Sequence, residues 1–296
     1  MSANDQNPHR SVWTHMMTVP FTQGFIEAGG IRTRYVQAGP KDAPAVVMLH
    51  GTAGSWEAFC ANLPSHSEHF NCYAIDMIGC GFSSRPDIDY EIPNYVGHVA
   101  AFMEAVGVKK ASLMGCSLGA WVCAQFALDH PDKTDKIVLL SAAGLFANAS
   151  NMSRIRNVRS KAVEDTSWAN IKPIFDHLLY KPESRIDDII AVRQAVYRQP
   201  GMVRTMEHIL CLQDPEIRPR NLIVEEDWKR ITAPALVIGS LGDKDEYLET
   251  ARRVGKLMPN AKYVDMADVG HWPQFEDPST FNPLSIDFLL GGKDAR

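Results

Sequence analysis

The chain has no run of about eighteen apolar residues, the length a helix needs to cross a bilayer. Its opening stretch, Met1 to Arg10, is polar where a secretory leader would be apolar. The expectation is a soluble, cytoplasmic protein with no membrane partner. Basic runs are also missing: 30 lysines and arginines face 35 acids, for a net charge of −5, which argues against a nucleic-acid partner. The six cysteines (Cys60, Cys72, Cys80, Cys116, Cys123 and Cys211) have no C-x-x-C spacing. Neither a disulfide framework nor a zinc site is suggested, and they read as small buried hydrophobes. No Gly-Lys-Ser/Thr follows a glycine-rich loop, no repeat or low-complexity tract occurs, and no cofactor or metal is expected.

What remains is an ordinary globular composition, 45% apolar and 22% charged over 296 residues, enough to bury a large core. Short buried apolar runs alternate with helical periodicity, which predicts a mostly parallel central sheet flanked by helices. Gly24 to Gly39 reads as a hairpin turning at Gly29-Gly30. Ala45–Leu49, Asn71–Ile75, Lys136–Leu140, Ala233–Gly239 and Ala261–Asp265 read as strands. Ser55–Leu63, Ile92–Val106, Glu246–Leu257 and Phe281–Leu290 read as helices. Residues 1–20 show no apolar period and read as a flexible arm. Residues 144–225 carry helical periodicity broken at Pro173, Pro182, Pro200, Pro215 and Pro219, without a buried strand; they read as a helical cap inserted into a core of 21–143 and 226–296.

The stretch that organises the chain is Lys110 to Leu128. A strand runs into Gly115-Cys-Ser-Leu-Gly119 and a helix follows, so this Gly-x-Ser-x-Gly frame sits on a strand-to-helix turn, the nucleophile elbow. Side chains at 115 and 119 would collide with neighbouring elements, and Ser117 would point its hydroxyl at the N-terminus of the following helix. Cys116 falls one short of the apex and is expected in the core. The turn His50-Gly-Thr-Ala-Gly54 follows a buried strand, where a second oxyanion donor belongs. The expected pair is the backbone N–H groups of Thr52 and Leu118. His50 reads as structural, and Asp76 as an organiser of its glycine-rich loop.

A serine hydroxyl is a weak nucleophile until a base takes its proton, and imidazole suits that task. His271 follows a glycine in the turn after the last strand. Asp243 and Asp245 both follow the preceding strand, and Asp243 is the preferred orienting acid. The chain order Ser117, Asp243, His271 is the order used on this kind of sheet.

Together the His50-Gly51 turn, the Asp76-x-x-Gly-x-Gly-x-Ser83 loop, the elbow and Gly270-His-Trp-Pro-Gln-Phe-Glu276 resemble the α/β-hydrolase superfamily. Within it the chain looks most like the meta-cleavage product hydrolases, which split a carbon–carbon bond in products of aromatic-ring degradation. Trp272 directly after His271, the tail Phe281–Leu289, and Arg193 in Ile189-Ile-Ala-Val-Arg193 carry that likeness. It implies a cofactor-free serine hydrolase for a 2-hydroxy-6-oxo-dienoate, with Arg193 binding the substrate carboxylate, Trp272 beside it, and Phe146, Trp168, Phe175 and Leu179 lining the pocket. Two positions differ from that family: Cys116 stands where asparagine is common, and His50-Gly-Thr-Ala lacks its extra glycines. A carboxylesterase or lactonase with the same triad stays open, as do a cofactor-free oxygenase and a ligand receptor on this scaffold. The partner expected is a small molecule, and a homo-oligomer also stays open.

Overall fold

The computed structural model describes residues 11–244 and 246–291. Its strands are β1 (Phe21–Ala28), β2 (Ile31–Ala38), β3 (Ala45–Leu49), β4 (Asn71–Ile75), β5 (Ala111–Cys116), β6 (Thr134–Leu140), β7 (Ala235–Ser240) and β8 (Ala261–Met266). They form one eight-stranded sheet in the order β1-β2-β4-β3-β5-β6-β7-β8. Strand β2 runs antiparallel to β1 and β4, and every other pairing is parallel. Strands β4, β5 and β7 are buried at every position, as continuous apolar runs inside a parallel sheet should be. The β1–β2 hairpin turns on Gly29 and Gly30, both at positive φ (60° and 82°), the conformation a tight two-residue hairpin turn requires.

The helices are α1 (Val12–Met16), α2 (Leu63–Ser67), α3 (Ile92–Ala105), α4 (Leu118–Asp129), α5 (Ala149–Glu164), α6 (Trp168–Leu178), α7 (Asp187–Tyr197), α8 (Met202–Ile209), α9 (Arg218–Asn221), α10 (Glu225–Trp228), α11 (Tyr247–Leu257), α12 (Pro273–Glu276) and α13 (Pro278–Leu290). Helices α3, α4 and α11 pack directly on the sheet. Between β6 and β7 the chain leaves the sheet for α5 to α10, and the described residues of that stretch include no strand. No helix among the described residues is long and apolar enough to cross a membrane.

Three local expectations need correction. The expected arm does not extend through residue 20: Ser11 caps α1, its hydroxyl and the Val12 N–H both bind the Asp188 carboxylate on α7, and Met16 is buried. Residues 1–10 lie outside the described residues. The expected Ser55–Leu63 helix is a 3-10 turn, Trp56–Phe59, followed by the separate α2. The Asp76 carboxylate accepts the Trp56 N–H at 2.9 Å, and Pro64 opens α2 in its first turn. Pro173 lies inside α6 instead of breaking it. The carbonyl that loses its partner there is that of Ala169, which is exposed and open to water.

Candidate active site

Ser117 stands between β5 and α4 at φ 57° and ψ −114°, a strained conformation for a residue with a side chain. The glycines around it have no alternative. A Cβ on Gly115 would lie 2.2 Å from the Gly119 carbonyl oxygen, and one on Gly119 would lie 2.1 Å from that of Leu49. The Ser117 N–H is held by the Leu140 carbonyl at 2.9 Å. The elbow is thus locked between β3, β6 and its own helix.

His271 lies in the turn after β8, and its Nδ1 sits 3.0 and 3.2 Å from the two oxygens of Asp243. A carboxylate there fixes the imidazole orientation and leaves Nε2 for chemistry. Ser117 and His271 line one cavity, both nearly buried. Asp243 also accepts the Lys244 N–H at 2.9 Å, while the competing Asp245 lies outside the described residues.

The 50–54 turn closes the cavity on the sheet side. A Cβ on Gly51 would come within 3.3 Å of the Ser117 Cβ, and Thr52 lines the cavity beside it. Leu118 opens α4, so its N–H belongs to a first helical turn that has no acceptor within its own helix. His50 holds the turn from below: Nδ1 donates to the Gly51 carbonyl at 2.7 Å and Nε2 accepts the Met77 N–H at 3.0 Å. Burial pushes its pKa down to about 3, so it stays neutral. Cys116 is fully buried, its thiol contacts the His271 carbonyl oxygen at 3.3 Å, and burial lifts its pKa far above the ordinary thiol value. That environment suits packing and not nucleophilic attack. Asp76 binds Arg34 at 2.5 Å and accepts the Trp56 and Phe82 N–H groups. It organises its loop.

The opposite wall comes from the inserted helices: Ile155 and Val158 on α5, Ile174 and Leu178 on α6, and Arg193 on α7. Arg193 is 4% exposed, with its guanidinium carbon 5.5 Å from the Phe175 ring centre. Trp272 lines the cavity and meets Phe175 edge to face at 5.8 Å. The aromatic lining expected from the sequence is corrected here. Trp168 is exposed, and Phe175 and Leu179 are buried behind the wall; the neighbouring helix faces carry aliphatic Ile174 and Leu178 to the cavity. The cavity volume is about 40 Å³. Among the described residues no group of three His, Cys, Asp or Glu side chains could hold a metal ion.

A family described as the alpha/beta hydrolase fold matches residues 44–278. The chain belongs to the alpha/beta hydrolases. It is an enzyme of hydrolase type, and several of its relatives are named as meta-cleavage product hydrolases. The 2-hydroxy-6-oxo-2,4-heptadienoate hydrolase of Pseudomonas putida is 26% identical over 267 residues, 88% of this chain and 94% of that one. The 2-hydroxy-6-oxo-6-phenylhexa-2,4-dienoate hydrolase of Burkholderia cepacia is 27% identical over 257 residues, 84% and 88% of the two chains. The crystal structure of a meta-cleavage product hydrolase from Pseudomonas fluorescens superposes with a TM-score of 0.78 at 25% identity, over 93% of this chain and 99% of that one.

Several residues of this hydrolase's site escape sequence reasoning. Ser141, at the end of β6 with φ 44°, bonds Asp243 Oδ2 at 2.7 Å and the His271 carbonyl at 3.0 Å. Tyr247 packs its ring 4.2 Å from the His271 ring, and burial raises its phenol pKa to about 12. Arg154, Arg159 and His177 also line the cavity. Positive φ on a non-glycine residue at a strand end is a structural signal, and nothing in the amino-acid string announces it.

Proposed function

We propose that this hydrolase is a cofactor-independent serine hydrolase that cleaves a carbon–carbon bond in a 2-hydroxy-6-oxo-dienoate. The observation that carries the reading is Arg193: a buried guanidinium in the cavity of Ser117 and His271, with no carboxylate partner among the described residues. A substrate carboxylate supplies the missing charge, and the planar fork binds it through two charge-assisted bonds. Relatives named for such dienoates add weight.

In this reading the dienol first ketonises, so that C5 can leave with the bonding electrons. His271 takes the Ser117 proton, Oγ attacks the C6 carbonyl, and the N–H groups of Thr52 and Leu118 hold the oxyanion. The C5–C6 bond breaks and C5 takes a proton from the imidazolium. Water then releases the acid from Ser117, for a net addition of one water across the bond. The inserted helices act as a cap over the core, and Trp272 borders the substrate.

The test follows the visible absorbance of a phenyl-substituted meta-cleavage product, with a p-nitrophenyl ester in parallel and Ser117→Ala as control for both. Fast Ser117-dependent decay of the dienoate with slow ester turnover supports the reading. The reverse preference makes the protein an esterase, and dienoate loss independent of Ser117 rejects the serine mechanism. Arg193→Gln should slow the dienoate much more than the neutral ester.

A further inference from the structure

Arg193 does not stand alone. Arg159 on α5 lies 7% exposed in the same cavity, and its Nη1 donates to the Tyr197 phenol oxygen at 3.2 Å. Arg193 Nη1 reaches that same oxygen at 3.5 Å. Two buried guanidiniums therefore share one neutral oxygen, and neither forms an ion pair among the described residues. No aspartate or glutamate lines the cavity. Burial lowers the Arg159 pKa, and the charge of Arg193 pulls the same way. The phenol accepts from both arginines, and its own proton has no acceptor among the described residues.

Such an arrangement is costly in an empty protein. A buried charge without a partner loses its hydration with little in return, and two like charges repel across a medium poorer than water. One carboxylate is satisfied by one arginine fork. A second guanidinium beside the first calls for another negative oxygen next to that carboxylate. In a 2-oxo acid or its enolate, that atom is the oxygen on C2.

We propose that Arg159, Arg193 and Tyr197 form a two-guanidinium anion site that grips a 2-oxo or 2-enol carboxylate by its carboxylate and its C2 oxygen together. Arg159 is the specificity residue that distinguishes this head from a simple carboxylate. The proposal rests on the dienoate reading for the identity of the substrate, and its direct test does not.

The test measures oxalate and acetate binding calorimetrically to the full chain, with oxalate standing for a head bearing two adjacent anionic oxygen groups. Oxalate should bind more tightly than acetate. Arg159→Gln should weaken oxalate by about tenfold or more while moving acetate less than about threefold, because only the two-group head engages the second fork. Arg193→Gln should weaken both. A second readout is thermal unfolding: without ligand Arg159→Met should hold or raise the midpoint, since it removes an unpaired buried charge, and with oxalate it should show a smaller upward shift than the wild type. A purely structural Arg159 would lower the midpoint instead. Absent oxalate binding, or equal losses of oxalate and acetate in Arg159→Gln, overturns the site even if the dienoate is cleaved. Selective oxalate loss with an inert dienoate upholds the anion site and moves the chemistry to another 2-oxo acid.

Discussion

The Ser141 hydroxyl lies 2.7 Å from Asp243 Oδ2, the oxygen that also sits 3.0 Å from His271 Nδ1. In the proposed triad Asp243 orients His271 and must itself be held, and Ser141 bonds it from a strand end whose backbone is strained to φ 44°. Removing the hydroxyl leaves Asp243 with the Lys244 N–H and His271. Ser141→Ala should lower kcat by about tenfold, and Asp243→Asn by about four orders of magnitude, since the amide favours the wrong imidazole tautomer. Steady-state kinetics on the best substrate, with unfolding midpoints as a check on folding, decide it. Unchanged kcat in Ser141→Ala would reduce the hydroxyl to a feature of the turn.

Two glycines, one at the elbow and one in α3, carry opposed expectations. A Cβ at Gly119 would lie 2.1 Å from the Leu49 carbonyl oxygen and 2.8 Å from that of His50, both backbone atoms, one on β3 and one on the turn after it. Neither can move without moving the site. Gly119→Ala should therefore destabilise by more than about 3 kcal/mol or prevent folding. Gly97 sits exposed within α3 with nothing within 4 Å of its Cβ position. Gly97→Ala should stabilise by about 0.5–1 kcal/mol. Urea unfolding of the two variants tests both signs.

The contrast also marks what could be read from sequence. The sheet was legible because its central strands are buried apolar runs, and the elbow because close approach leaves only glycine at 115 and 119. The His271–Asp243 pairing followed from chain order. Ser141, Tyr247 and Arg159 were not legible, because each acts through a partner more than twenty residues away, across the sheet or between inserted helices. The pocket aromatics were misplaced for a related reason. Helical spacing identifies an apolar face without saying whether it meets the cavity or the next helix, and Phe175 meets Trp272. Ser55–Leu63 divides into the Trp56–Phe59 turn, whose first N–H the distant Asp76 carboxylate caps, and the separate α2.

The inserted helices are tied to the core by a titratable contact. His208 on α8 lies 2.9 Å from Asp89 and 2.7 Å from Asp87, and Asp87 also binds Arg204. Hydrogen bonding to Asp89 raises the His208 pKa against the opposing effect of burial, with Asp87 adding to the rise. A raised value in the folded state means that the proton favours folding. The contribution is fully present below the unfolded value of about 6.5 and fades as pH rises through the folded value. The margin by which the wild-type unfolding midpoint exceeds that of His208→Gln should therefore shrink from about pH 6 to about pH 9. Parallel slopes would remove His208 from the pH dependence.

Glu276 joins the same two parts of the molecule at the turn that carries His271. Its carboxylate accepts the Gly270 N–H at 2.7 Å on one oxygen, and those of Tyr180 and Lys181 at 2.8 and 3.0 Å on the other. The His271 N–H meanwhile donates to the Leu178 carbonyl at 2.8 Å. The end of α6 and the turn carrying His271 are thus one hydrogen-bonded unit. Burial lifts the Glu276 carboxyl above its usual range although all three N–H groups oppose the rise, which marks how little water reaches it. Glu276→Ala leaves three backbone donors without their acceptor, at roughly 1–3 kcal/mol for each one that water cannot reach. Glu276→Gln keeps one oxygen and should lose less. Because the contact fixes His271 relative to the cavity wall, kcat should fall in the same order as the unfolding midpoint, Ala below Gln below wild type. A lowered midpoint with unchanged kcat would show that the turn holds His271 without help from α6.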